Sequence, residues 1–225
     1  MAQHSDVVEL ILSALASRER VLLALWGIPG SGKTTAAAQL RAELATRLGD
    51  GERVRVLSMD GFHLYRRQLD ELADPATAHR RRGAPFTFDA RRFVDCVKRI
   101  RLQARGDEPL MCPTFDHALK DPCEDATQIG SDVSVVIVEG LYCGLDEPPW
   151  NELLRENVFD VTVRVECELE VALERVVQRR IHEIGQDEAD AREQVQANDR
   201  VNAEYVLKHS AEPQISLVTA AQCRE

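Results

Sequence analysis

Segments in which every position is apolar alternate with amphipathic segments along most of the chain. Short, fully apolar runs are typical of parallel strands covered on both faces, and apolar positions three or four residues apart predict helices. The predicted strands are 21–26, 54–59, 133–139, 159–166 and 214–218. The predicted helices are 5–17, 33–48, 168–184 and 187–208, with a short helix opening at Pro148 and Pro149. This alternation predicts an α/β fold built on a doubly wound, mostly parallel sheet.

Residues 61–130, between the second and third predicted strands, interrupt the alternation. Only 89–104 reads clearly as a helix there, with Asp89 as its N-terminal cap and Phe93 and Val97 on one face. Long irregular segments inside a compact domain usually carry function. We therefore expect a single domain over 1–225 with a functional insertion at about 61–130.

The composition narrows the choice of partners and compartment. The 225 residues include 28 Lys and Arg against 38 Asp and Glu, a net charge of -10. Because a nucleic-acid phosphate backbone calls for a net basic face, we predict no nucleic-acid partner. The first residues carry no signal or transit pattern, and no apolar run approaches the roughly 20 residues of a membrane helix. Six cysteines without C-x-x-C spacing favour reduced thiols, so we expect a cytoplasmic protein without membrane contact.

A phosphate-binding motif follows the first predicted strand. The stretch GIPGSGKTT fits G-x-x-x-x-G-K-[ST], with a strand before it and a helix after it. Backbone N–H groups of such a loop point at phosphate oxygens, the lysine bridges the β- and γ-phosphates, and the hydroxyl binds magnesium. The alternative is a glycine-rich turn with a chance lysine. The motif predicts binding of ATP and Mg²⁺ by Gly27, Gly30, Ser31, Gly32, Lys33, Thr34 and Thr35.

Two acidic residues follow predicted strands and are expected at the same edge of the sheet. Asp60 comes after strand 54–59, where a carboxylate can accept the proton of an attacking hydroxyl. Glu139 ends strand 133–139, where an acid can hold a magnesium-bound water beside Thr34. Either residue could instead cap the turn before the glycine that follows it.

Several motifs, in order, resemble the phosphoribulokinase, uridine kinase and pantothenate kinase group of small-metabolite kinases. They are GIPGSGKTT, VLSMDGFH, RRGAPFTFD, PTFDHALKDP and VIVEGLY. The resemblance extends from about residue 21 to about residue 208 and is greatest to a uridine-kinase-like branch whose acceptor is often unassigned. It implies a kinase in which Asp60 is the catalytic base and Glu139 serves the metal.

The same resemblance implies an acceptor pocket built from the insertion. It places residues 79–89 and an aromatic and a histidine of a following loop against the acceptor. Asp89 could equally be only a helix cap, and the arginines around 81 only a solvated face. The loop histidine could be a surface partner of Asp116, and His63 a histidine at the edge of the core. The residues expected at the acceptor are His63, Arg82, Asp89, Phe115 and His117.

A helical lid is expected at about 168–208. Arg175 and Arg179 lie four residues apart on one face of helix 168–184, and arginines of nucleotide-kinase lids neutralise charge on the transferred group. Nearby glutamates offer the alternative of an ordinary solvated face. Asn198 and Asn202 share a face of the next helix, and no mechanism is assigned to them.

The leading hypothesis is an ATP-dependent phosphotransferase acting on a hydroxyl of a small metabolite. A nucleoside such as uridine, a pantothenate-like acid, a glycerate or a sugar would all suit the framework, because the fold does not choose the acceptor. The alternatives are a nucleotide-binding switch or ATPase acting on a protein partner, and a quiet scaffold that keeps the nucleotide site. A homodimer is compatible with the group that the motifs resemble.

Overall fold

The computed structural model describes residues 2–116 and 118–218, apart from the side chain of Ile184. In these ranges the strands are β1 Val21–Trp26, β2 Val54–Ser58, β3 Leu110–Asp116, β4 Asp121–Ile129, β5 Val135–Glu139, β6 Val161–Glu166 and β7 Ile215–Val218. The helices are α1 His4–Leu15, α2 Lys33–Leu48, α3 Arg66–Leu69, α4 Pro75–Arg80, α5 Ala90–Leu102, α6 Glu152–Arg155, α7 Leu169–Ile184, α8 Glu188–Gln194 and α9 Arg200–His209.

The main sheet has the order β2-β5-β1-β6-β7 over the described residues, and all of its strand pairs are parallel. Ser58 of β2 and Leu25 of β1 both pair with Glu139 of β5. The carboxyl ends of these three strands therefore meet at one edge, where ligands of open α/β sheets bind. The predicted α/β fold is confirmed.

The central strand β1 is buried along its whole length, as its apolar run predicts. Leu23 belongs to a cluster with Ile11 of α1 and Leu40 of α2, whereas Leu22 packs in a second cluster with Phe93 of α5. Helices thus cover both faces of the sheet, and each fully buried leucine contributes about 1.5–3 kcal/mol. No helix in the described part of the chain is long and apolar enough to span a membrane.

The insertion contains a hairpin that the apolar pattern did not predict. Strands β3 and β4 pair antiparallel and form a separate small sheet. Most side chains of β4 are exposed or half-buried, and an irregularity between Cys112 and Thr114 shifts the register, so neither strand shows a clean alternation. Phe115 and Asp116 consequently belong to β3, not to a loop as predicted. His117 lies outside the described residues.

Helix boundaries also differ from the prediction. Helix 187–208 is divided into α8 and α9 by a π-helical turn over Val195–Asp199. The helix expected at Pro148 begins only at Glu152. Helix α1 begins at His4, one residue before the predicted start, and Asp6 accepts a hydrogen bond of 2.7 Å from the backbone N–H of Gln3.

The cysteines of the described ranges are free thiols, which agrees with the absence of paired spacing in the sequence. Cys96 of α5 and Cys112 of β3 lie closest together, with their Sγ atoms 3.5 Å apart. Cys223 lies outside the described residues.

Candidate functional site

The phosphate loop connects the end of β1 to the start of α2. Gly27 follows β1 directly, and a Cβ on it would approach the Val165 carbonyl oxygen to 2.6 Å. Ser31 is fully buried, and its backbone N–H donates to the Ile28 carbonyl at 3.1 Å. Gly32 caps α2 with φ 93°, in the left-handed region that favours glycine. The first N–H groups of α2 are therefore open to an anion at the sheet edge.

A cavity of about 1100 Å³ lies over this loop and the start of α2. One part of its wall joins the phosphate loop to α7, the predicted lid helix, and includes Gly30, Gly32, Lys33, Thr34, Thr35, Arg175 and Arg179. A second part includes Gln3 and His4 at the start of α1, Gln39 of α2 and Val218 of β7. The two lid arginines predicted from helical spacing thus face the same cavity as the phosphate loop.

Glu139 is buried at the end of β5, with 5 % of its surface exposed. The hydroxyl groups of Ser58 and Thr34 lie close enough to its carboxylate to influence its pKa. Burial raises the pKa of Glu139 and the charge of Asp60 raises it further, while Ser58, Lys33 and Thr34 act in the opposite direction. Glu139 therefore stands next to the hydroxyl that was predicted to share a metal ion with it.

Lys33 is the buried cation of the site, and its Nζ donates to the Ile28 carbonyl at 3.0 Å. Burial lowers the pKa of Lys33; Glu139 and Asp60 oppose this shift, and Arg179 reinforces it. These charges influence one another only because the four side chains converge on one region. The lysine thus lies near both candidate carboxylates and near Arg179 of α7.

Asp60 lies in a 3₁₀ turn, Met59–Phe62, because β2 ends at Ser58, one residue earlier than predicted. Its side chain is half-buried, and its backbone N–H donates to the Ser58 hydroxyl at 3.3 Å. Its carbonyl oxygen lies 2.9 Å from Nδ1 of His63. The turn of Asp60 therefore connects the end of β2, beside Glu139, with the start of the insertion.

Aromatic rings surround His63 on the insertion side. Its ring centroid lies 4.0 Å from that of Phe88 and 4.9 Å from that of Phe115. Phe88 in turn contacts Tyr142 and Trp150 edge-on, at 5.7 and 6.0 Å between centroids. The sequence analysis did not single out Tyr142 as part of this aromatic cluster, although it lies only three residues after Glu139.

Arg82 and Asp89 both have partners within the protein. The Arg82 guanidinium binds Asp121 at 2.9 Å and the Leu64 carbonyl at 2.8 Å, and it lies over the ring of Phe115. Asp89 caps α5 by accepting from the backbone N–H of Arg92 at 3.0 Å. The helix-cap alternative for Asp89 is confirmed, and contact of either residue with an acceptor stays a prediction.

Ser58 is a site residue that the sequence analysis missed. It pairs with Glu139 across the β2–β5 ladder, and its hydroxyl lowers the pKa of that carboxyl. The available signal was its place at the end of β2, two residues before Asp60. A hydroxyl there was indistinguishable from an ordinary strand-end serine until the order of the strands was known.

The donor set fits a magnesium-bound triphosphate. Thr34 and Glu139 supply hydroxyl and carboxylate oxygens, which Mg²⁺ prefers, and Mg²⁺ is commonly held by one or two protein groups with phosphate oxygens and water. No larger cluster of His, Cys, Asp and Glu suited to a metal occurs between residues 2 and 218, His117 excepted. Lys33, Arg175 and Arg179 supply positive charge around the cavity.

A phosphate loop between the first strand and helix of a parallel sheet, with an arginine-bearing helix over it, defines the P-loop NTPase fold of nucleoside and nucleotide kinases. The chain belongs to the phosphoribulokinase/uridine kinase family, whose model matches residues 22–217. The resemblance seen in the motifs is confirmed.

Named relatives agree with this assignment. The chain is 33% identical over 218 residues to C227.14 of Schizosaccharomyces pombe, provisionally named a uridine kinase, which covers 96% of this chain and 91% of that protein. It is 40% identical over 156 residues to the ATP-dependent kinase-like protein notR' of Aspergillus versicolor, covering 67% of this chain and 88% of that protein.

A solved structure shows the same architecture. A Silicibacter sp. TM1040 protein, provisionally named a fructose transport system kinase, superposes with a TM-score of 0.83 at 31% identity, covering 96% of this chain and 99% of that one. These proteins are thus named as kinases or as kinase-like, and their names do not agree on one acceptor.

Proposed function

We propose that this protein transfers the γ-phosphate of ATP to a hydroxyl group of a small metabolite. The observation that carries the proposal is that β1, β2 and β5 end at one edge of the sheet, which brings together the phosphate loop with Lys33, Glu139 and the turn of Asp60. Lys33 and Glu139 belong to the nucleotide side, whereas the turn of Asp60 contacts His63 on the insertion side. A carboxylate between a phosphate site and an aromatic wall is well placed to accept a hydroxyl proton.

The nucleotide side holds and neutralises the triphosphate. In this proposal the phosphate loop, Gly27 to Thr35, binds phosphate oxygens through its N–H groups, and Lys33 bridges the transferred group. Thr34 and Glu139 would hold Mg²⁺, which when bound neutralises charge on the phosphate oxygens. Arg175 and Arg179 close the cavity from α7 and stabilise negative charge that develops during transfer.

The insertion side binds and orients the acceptor. Asp60 accepts the proton of the acceptor hydroxyl while the hydroxyl oxygen attacks the γ-phosphorus of ATP and ADP leaves. His63 and Phe115 offer aromatic surfaces against which a sugar or base can pack, with Arg82 behind Phe115. Asp89 and His117 complete the proposed set. The whole chain then acts as one kinase domain, with the insertion at 61–130 and the lid at 168–208.

The acceptor class follows from the chemistry that the site requires. A nucleoside such as uridine, a pantothenate-like acid, a glycerate or a sugar each carries a free hydroxyl on a small polar frame. The name of the S. pombe relative supports a nucleoside, and that of the Silicibacter protein supports a sugar. A cytoplasmic location and a homodimer stay predictions, which fractionation and light scattering would test.

The test is an ATP-consumption screen with Mg²⁺ against nucleosides, pantothenate, glycerate, sugars and sugar phosphates. The proposal expects one acceptor class to stimulate consumption and an Asp60→Asn variant to lose the stimulation. ATP hydrolysis that no acceptor stimulates would contradict the proposal and favour a nucleotide switch or an ATPase acting on a protein partner.

A further inference from the structure

Two buried asparagines lie beyond the lid helix and outside the proposed catalytic set. Asn198 has 5 % of its surface exposed, and Asn202, one helical turn later, has 3 % of its surface exposed. A buried amide must find hydrogen-bond partners, because an unpaired polar group loses its bonds to water without replacement. The partners of these two amides therefore show what the fold uses them for.

Both amides bind the loop that follows α4. Asn198 Nδ2 donates to the carbonyl oxygen of Arg82 at 2.9 Å. Asn202 Oδ1 accepts from Nη2 of Arg81 at 2.8 Å, and its Nδ2 lies 3.3 Å from Oδ1 of Asn198. One amide thus fixes the main chain of the loop, the other fixes a side chain, and each orients the other.

The loop that they hold leads directly to the proposed acceptor site. Arg82, whose carbonyl Asn198 binds, extends its guanidinium over Phe115. Phe115 packs against His63, and His63 bonds to the carbonyl of Asp60. A continuous series of contacts therefore connects Asn198 with the turn that carries the proposed base.

The lid helix α7 is bonded to the turn that contains Asn198. Arg180 of α7 donates to Asp199 at 2.9 Å, and the two side chains are only 18% and 14% exposed. Arg180 is adjacent to Arg179, which lines the phosphate cavity. Asp199 and Asn198 are neighbours in the π-helical turn Val195–Asp199, and π turns within helices are frequent at functional sites.

We infer that Asn198 and Asn202 are positioning residues that set the acceptor wall, through residues 81–83, relative to the lid helix α7. The Arg180–Asp199 pair ties the lid to the same turn, so the lid and the acceptor wall move as one unit. This inference rests on the proposed phosphotransferase function. The asparagines act through Arg82 and Phe115 and need not contact the acceptor.

Two substitutions at Asn198 separate positioning from general packing. Asn198→Ala removes the donor to the Arg82 carbonyl. Asn198→Asp keeps the size of the side chain and removes the donor only while the carboxyl is ionised. The matched control is Arg200→Ala, which removes the 2.7 Å pair between Arg200 of α9 and Glu170 of α7. That pair also joins the two helices, but the bonds to residues 81–83 described above come from Asn198 and Asn202 and not from Arg200 or Glu170.

The readouts are the KM for the acceptor identified by the screen, the KM for ATP, and kcat. For Asn198→Ala we expect the acceptor KM to rise about tenfold or more. Loss of the bond to Arg82 would displace the acceptor wall, and even a small displacement weakens the binding of a substrate in its reactive position. The ATP KM should stay within about twofold. For Asn198→Asp the defect should shrink as the pH is lowered, since a protonated carboxyl can again donate to Arg82. Arg200→Ala should change neither KM.

The outcomes distinguish this inference from the proposed function. An active wild-type protein with an unchanged acceptor KM in Asn198→Ala, or with both KM values raised in parallel, would overturn the positioning role alone. A defect of Asn198→Asp that does not respond to pH would also count against it. A wild-type protein that phosphorylates no acceptor would overturn the proposed function and the inference together.

Discussion

Gly30 of the phosphate loop packs directly against the main chain of Ala172 in the lid helix. A Cβ built on Gly30 would lie 2.0 Å from the Ala172 carbonyl oxygen and 3.0 Å from Cγ2 of Val176. The loop and α7 are therefore so close that only glycine fits between them. This contact holds the helix that carries Arg175 and Arg179 over the phosphate cavity.

Gly30→Ala should be far more harmful than Gly49→Ala. Both glycines have positive φ, 76° and 70°, so each substitution incurs about 1–2 kcal/mol of backbone strain. Gly49 has open space around it, whereas Gly30 also meets Ala172 and should lose a further ~1–3 kcal/mol. Urea unfolding of both variants measures the difference. Equal losses would show that the loop and α7 are not in tight contact.

Lys33→Ala should abolish most of the phosphotransfer activity. Its buried ammonium is the cation of the phosphate loop, and removal of a single such group costs about 10²–10³-fold in kcat. Steady-state kinetics with saturating ATP and acceptor measure the effect. Lys208→Ala, at an exposed position of α9, is the control and should behave as wild type. Full activity of Lys33→Ala would remove the phosphate loop from the mechanism.

Arg179→Ala should lower kcat by roughly 10³-fold, since an arginine that neutralises the transferred phosphoryl group is worth about that much. The comparison is Arg192→Ala, which removes a neighbouring arginine that pairs with Glu174 of α7 at 2.8 Å on the exposed surface. Single-turnover rates of the two variants decide the matter. If both variants keep the wild-type rate, Arg179 is only part of a solvated helix face.

The Arg92–Glu124 pair should give a stability contribution that acid removes. Hydrogen bonding to Arg92 lowers the pKa of Glu124 to about 2. A depressed carboxyl pKa stabilises the fold above the unfolded-state value, about 4.5, and this contribution is lost as the pH falls through about 2. Both side chains are more than two-fifths exposed, so solvent screening limits the contribution to about 0.5 kcal/mol.

Urea midpoints of the wild type and Glu124→Gln, compared at pH 7, 5, 4 and 3, test this prediction. The wild type should be the more stable at pH 7, and the difference should narrow below about pH 4.5. If the difference between the two urea midpoints instead grew as the pH was lowered, the predicted effect of the Glu124 pKa on stability would be contradicted.

The nucleotide side of the site could be predicted from sequence because its signals are local. The glycines before Lys33 and the fully apolar run of β1 define a strand, a loop and a helix within one short stretch. Asp60 and Glu139 could be assigned to one edge of the sheet because each lies at or just after the carboxyl end of a predicted strand. Parallel strands bring such residues to one edge whatever the sheet order.

The acceptor side could not be predicted in the same way because its contacts join distant segments. Polar strand β4 carries little apolar alternation, so the hairpin that positions Phe115 was missed. The bond from Asn198 to Arg82 crosses 116 positions of sequence, and no spacing rule reaches that far. The Ser58–Glu139 contact likewise required the order of the strands.

The most direct test of the account is detection of the phosphorylated acceptor by mass spectrometry under saturating Mg²⁺ and ATP. Wild type, Asp60→Asn and the exposed-site control Asp95→Asn are compared, and ATP affinity is measured in parallel. The account predicts that Asp60→Asn binds ATP normally and forms product about 10²–10⁴-fold more slowly, while Asp95→Asn matches the wild type. Product formation by Asp60→Asn within a few-fold of the wild-type rate would contradict the role of Asp60 as the base.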